Sequence, residues 1–251
     1  MAYRNDSDLE FLSQINSEDL NDLVNCLTHD SDGSERLTEE LTSNDLYKKH
    51  YPDHQKYWKL VAAELQCFGA STFATLLRGG EGVPYKEVLI DVCDKMKVNY
   101  NKDSKVETIE GNLLMKILTD VIEKMNPEEL KELAEATGIK NINGITPQIM
   151  TGAFQAVFRA GGFKSYQITV IVANAIVKAL IRRGLPPIVN QTLTKAMSII
   201  TGPIGWVITG VWTAIDIAGP AYRVTIPAVI QVAVLRQKYL YGKQAGEISF
   251  D

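Results

Sequence analysis

Residues 105–138, KVETIEGNLLMKILTDVIEKMNPEELKELAEATG, decide the fold class. Ile109, Leu113, Leu114, Ile117, Leu118, Val121, Ile122 and Met125 recur every three or four residues, the spacing that gathers side chains onto one face of a helix. Asn126–Pro127–Glu128–Glu129 then restarts the chain. An asparagine can cap, a proline loses nothing at the first helical position, and a glutamate three residues after the cap can reach back to it. Gly138 supplies the stop. The pattern predicts helices over about 105–125 and 127–137.

The same period extends toward the N-terminus. Leu9, Leu12, Ile15, Leu20, Leu23, Val24 and Leu27 predict two short helices joined near Asn16–Ser17. From about Pro52 to Leu77 the helical face carries Tyr57, Leu60, Val61, Glu64, Leu65, Phe68, Phe73, Leu76 and Leu77, with Gly69 and Ser71 as a point where the helix can divide in two. Pro84 opens a further helix with Val88, Leu89, Val92 and Met96 as its stripe. No two-residue alternation occurs in residues 1–150, so the expected class is all-α. After a polar connector at 140–147, a helix over 147–162 ends at Gly161–Gly162. Ser165 caps another, whose narrow polar stripe is Gln167, Asn174, Lys178 and Arg182, with Arg183 beyond it.

Charge divides the 251 residues unequally. Residues 1–150 hold 16 basic and 27 acidic side chains, and residues 151–251 hold 10 and 3. The expected organisation is an acidic helical domain over 1–145 packed against a hydrophobic, basic one over 146–251. Composition excludes a disordered chain, a collagen-like repeat and a disulfide scaffold, because 45% of residues are hydrophobic and only three are cysteine. The acidic total, without a Lys/Arg-rich run, speaks against nucleic acid as a partner. Cys26, Cys67 and Cys93 form no CxxC, and acids within MAYRNDSDLEFL exclude a secretory leader. The expected location is cytoplasmic, with the periphery of the inner membrane as an extension.

Residues 196–215, AMSIITGPIGWVITGVWTAI, carry no charge, and 20 residues at ~1.5 Å each would span a ~30 Å hydrocarbon layer. Gly202–Pro203 interrupts the run, so a helical hairpin near 188–218 is expected instead. Gly205, Thr209, Thr213 and Asp216 form a seam of small and weakly polar residues. Asp216 requires a base, with Arg223, Lys178 and Arg182 the candidates. Residues 224–235, VTIPAVIQVAVL, are uncharged but read as interrupted at Pro227 and too short to span. A buried hairpin is the first expectation, membrane insertion the second and an oligomerisation surface the third. The candidate partner or membrane surface is Lys178, Arg182, Arg183, Lys195, Trp206, Trp212, Asp216 and Arg223.

Chemical motifs are sparse. His50 and His54 have helical metal spacing, but Pro52 lies between them, and two exposed histidines are expected. Asp30, Asp32 and Gly33 fail the calcium-loop spacing, with Leu41 where the glutamate should be. Gly79, Gly80 and Gly82 read as a turn, since no strand precedes them and no GK[ST] follows. No catalytic, metal-binding or cofactor-binding residue is assigned, and no cofactor is expected.

MAYRNDSDLEFL at 1–12, YKEVLIDVCDKMKVNYNK at 85–102, GGFKSYQITVIVANAI at 161–176 and TGPIGWVITGVWTAIDIAGPAYRVTIPA at 201–228 together resemble the YaaW-like family of bacterial proteins. The resemblance runs over nearly the whole chain and implies a bacterial cytosolic protein, with no functional residue to carry across. Part of the N-terminal half is similar to the ubiquinol–cytochrome c chaperone family, helical proteins that assist assembly of a membrane respiratory subunit. The expected function is therefore non-catalytic. It is a chaperone-like, assembly or scaffolding protein for a hydrophobic helical client, with a protein client or self-association as partner. The alternative is a membrane-active protein whose 165–235 region inserts into or lies on anionic bilayers.

Overall fold

Asn16 begins the first α-helix, α1 (Ser17–Thr28), by accepting the Asp19 backbone N–H at 2.8 Å. A 3-10 turn at Glu10–Gln14 precedes it, so the two expected short helices meet where the sequence places their joint. The computed structural model describes residues 2–30, 34–36, 39–69, 82–136, 139, 144–162, 164–169 and 221–245. Among these there is no strand, only an isolated bridge between His29 and Glu35. The class is all-α.

Asn44 caps the short α2 (Asp45–His50), which buries none of its side chains. A 3-10 turn at His54–Tyr57 leads into α3 (Trp58–Phe68). Next come α4 (Tyr85–Lys95) and α5 (Val106–Ile122), the latter with Ile109, Leu113, Leu114, Ile117, Leu118, Val121 and Ile122 buried as its period requires. In α6 (Pro127–Ala136) the anticipated capping box is formed. Asn126 Oδ1 accepts the N–H groups of Glu128 and Glu129 at 2.9 and 3.0 Å, and Glu129 accepts the Asn126 N–H at 2.8 Å. Thr146 caps α7 (Pro147–Ala160), and Gly161, at φ 65°, ends it. Residues 164–169 are helical.

The last described element, α8 (Tyr222–Ala245), organises the rest. Every residue from Val224 to Arg236 is buried, and α8 packs against α1, α3, α4, α5 and the Glu10–Gln14 turn. A helix apolar all round is stable in water only when covered all round, and helices from the acidic part of the chain cover this one. Here the structure differs from the expectation of a break at Pro227, because α8 continues through it. Proline removes one backbone donor, the one that a continuous helix would direct at Arg223 in the exposed first turn. The core can therefore tolerate the proline. No helix among the described residues is long and apolar enough to cross a membrane.

Gly82 has a packing role. A Cβ there would lie 2.2 Å from the Gln66 carbonyl oxygen, and the next residue, Val83, donates its N–H to that carbonyl at 3.1 Å. The chain re-enters against the end of α3 where a side chain would collide with backbone. Gly79 and Gly80 lie outside the described residues.

Candidate functional site

Of the surface proposed from sequence, Lys178, Arg182, Arg183, Lys195, Trp206, Trp212 and Asp216 lie outside the described residues, as does the hairpin near 188–218. Arg223 is exposed in the first turn of α8. What α8 does bring together is a buried ionic network that sequence reasoning missed. Arg236 Nε donates to Glu110 Oε2 at 2.9 Å, with the two side chains only 6% and 1% exposed. Tyr85 Oη donates to Glu110 Oε1 at 2.7 Å, and Arg236 Nη2 donates to the Asp8 carbonyl at 2.7 Å. The guanidinium lies 4.5 Å from the Phe11 ring centre and 5.7 Å from that of Tyr85. Burial pushes the Glu110 carboxyl up, and the neighbouring Arg236 opposes that shift.

A second set of bonds ties the N-terminal segment to the same region. Asp6 Oδ2 accepts the Tyr85 backbone N–H at 2.6 Å, so a carboxylate from far along the chain caps α4, whose own preceding residue, Pro84, offers no side-chain acceptor. The Gln66 side-chain amide pairs with both backbone groups of Arg4, donating to its carbonyl at 2.9 Å and accepting its N–H at 3.1 Å. Glu110 and Arg236 left signals in the sequence. One is an acid on the apolar stripe of α5, and the other is the first charge after the run 224–235. Neither signal names the other residue. The network satisfies its own donors and acceptors, and its chemistry is that of a tie between α8, α5, α4 and the N-terminus.

Other polar groups buried on α1 and α3 stand apart from it. Burial pushes the Glu64 carboxyl up to about 7, and its oxygens accept the Glu40 N–H at 3.3 Å. Burial, with Asp19 beside it, pushes Asp22 up to about 6. Asp19 itself pairs with Lys238 of α8 at 2.5 Å. His54 corrects the expectation of two exposed histidines: it is 1% exposed, with Nδ1 against the Tyr57 hydroxyl and Nε2 3.2 Å from Asn21 Oδ1. Burial lowers its pKa, so the ring is neutral and serves the packing of the turn. Burial pushes the Cys26 and Cys93 thiols up to about 12, which keeps them protonated. Among the described residues no three His, Cys, Asp or Glu side chains are grouped to hold a metal ion.

Comparison with known proteins places the chain. A UPF0174 protein of Helicobacter pylori (strain J99 / ATCC 700824) is 54% identical over 238 residues, covering 95% of this chain and 94% of the relative. The chain belongs to the UPF0174 family. Within UPF0174, a second protein of the same strain is 45% identical over 206 residues, covering 80% of this chain and 98% of the relative. The UPF0174 protein YaaW of Escherichia coli (strain K12) is 31% identical over 240 residues, covering 94% and 95%. Residues 53–230 match the ubiquinol-cytochrome C chaperone family, so this UPF0174 chain is a member of that family as well. Residues 3–37 match a domain of unknown function, DUF3944. The chaperone-family match thus reaches past the N-terminal half, through the hydrophobic segment and into α8. No solved structure matches the chain.

Proposed function

We propose that this UPF0174 protein is a non-catalytic, chaperone-like binding protein that holds a hydrophobic helical segment of a protein client during assembly. The observation that carries the reading is the match of residues 53–230 to a chaperone family. The fold supports it, because α1, α3, α4 and α5 already enclose one apolar helix, α8, on all sides. Helices arranged to cover such a helix have the ridge-and-groove surfaces that a second one would need. The client-binding surface proposed for the chain is Lys178, Arg182, Arg183, Lys195, Trp206, Trp212, Asp216 and Arg223. Its cationic and aromatic side chains would flank a client's apolar face.

The test is retention of a fluorescent, membrane-span-like peptide of about 20 residues by the full chain, measured by anisotropy and by suppression of the peptide's aggregation. Binding that weakens on changing Trp206 or Trp212 to Ala supports the proposal. A peptide that aggregates equally fast with and without the protein removes it.

A further inference from the structure

Residues 45–59, DLYKKHYPDHQKYWK, form a basic corner within the acidic part of the chain. Lys48, Lys49, Lys56 and Lys59 are all exposed, against Asp45 and Asp53. Asp53 is already engaged, accepting from Ser17 Oγ at 2.7 Å and pairing with Lys56 at 3.0 Å. Among these lysines stand two of the most exposed large apolar side chains of the described residues, Leu46 at 48% and Tyr51 at 58%. The helix that carries Leu46, α2, has no fully buried side chain and reaches the core only through half-buried Tyr47. Tyr51 is not a loose side chain. Its ring centre lies 5.3 Å from that of Tyr47 and 5.8 Å from that of His54, and both of those rings lean on Tyr57, which is buried. On the α3 side, Lys59 Nζ lies 5.7 Å from the Trp58 ring centre and 5.9 Å from that of Tyr3.

We propose that the corner made by α2 and the following 3-10 turn docks on an anionic phospholipid bilayer, with Leu46 and Tyr51 entering the interface and the four lysines meeting headgroups. Two features favour a bilayer over an acidic protein. A leucine and a tyrosine held outward at low ordering cost suit the boundary between headgroup and acyl chain, where a tyrosine can bury its ring and keep its hydroxyl wet. The sign of the corner also opposes that of the rest of residues 1–150, so an anionic surface repels the acidic faces of that part of the chain and favours approach by this one. The inference stands on this corner alone and does not rest on the chaperone reading.

Flotation of the full chain tests it, with vesicles of mixed phosphatidylglycerol and phosphatidylcholine beside vesicles of phosphatidylcholine alone. The protein should float with the anionic vesicles and fall at least roughly tenfold on neutral vesicles, or in about 0.5 M salt. K48E/K49E should lower the bound fraction at least roughly fivefold, and L46S/Y51S should lower it as well, each with the helical circular dichroism of the parent. K124E/K131E makes the same charge change at exposed positions elsewhere and should stay within about twofold of the parent. If charge reversal at 48 and 49 unfolds the chain, K48Q/K49Q replaces it, with a loss of at least about twofold expected. Absence of flotation, equal flotation on neutral vesicles, or an equal loss in K124E/K131E overturns the proposal. Flotation unchanged in both corner variants also overturns it, and moves any bilayer contact to another segment. Peptide retention is a separate readout, so a failure here and a failure of the chaperone reading are distinguishable.

Discussion

Glu64 shows how a single residue can be half legible. The sequence sets it on the buried face of α3, and it is indeed 3% exposed. That the Glu40 backbone N–H would meet it depends on a loop more than 20 positions away, which no local pattern encodes. Its raised pKa has a definite consequence. The folded carboxyl holds its proton more tightly than the unfolded one, so protonation favours the fold. This contribution is complete below the ordinary value of 4.5 and is lost as pH rises through about 7. Over that window it amounts to about 3 kcal/mol. We therefore expect Glu64→Gln to remove part of the pH dependence: the melting temperature of the variant relative to the parent should be more favourable at pH 8 than at pH 4.5. Thermal scans at the two pH values check this, and a pH-independent difference would contradict it. Asp22, raised to about 6, acts with the same sign over a lower window.

At the scale of elements, caps and periods were readable and partners were not. The capping box at Asn126, the stop at Gly161 and the stripe of α5 all lie within a few residues of their causes. Glu110, an acid on that stripe, finds its partner only in Arg236 of α8. The ion pair fixes where α8 sits against α5, because sliding α8 by one turn would leave two charges buried and unpaired. Glu110→Gln should cost about 3–5 kcal/mol by stranding the guanidinium. Replacing both residues with Met should recover much of that loss, since buried pairs often stabilise little relative to an apolar pair of similar size. Urea unfolding of the single and double variants measures this. A double variant as unstable as E110Q would show that the network contributes more than the removal of its own desolvation penalty.

For the whole molecule, the charge contrast suggests two halves divided at 145/146 and in contact, and α8, from beyond that point, is buried among α1, α3, α4 and α5. We expect residues 1–145 expressed alone to lack a cooperative thermal transition and to expose apolar surface to a hydrophobic dye. A sharp transition in that fragment would make the first part an independent domain. The sequence by itself determined the all-α class, most helix limits, the capping box at Asn126 and the family, because these follow from periods and neighbours along the chain. It also carried the uncharged run of α8, but without a destination: too short to span a bilayer, that run suits a core first and a membrane surface or a partner after it. Only the tertiary structure decided between these for residues 224–236, because burial depends on which helices surround a segment. Here they are contributed by chain more than 100 residues away, with Glu110 waiting for Arg236.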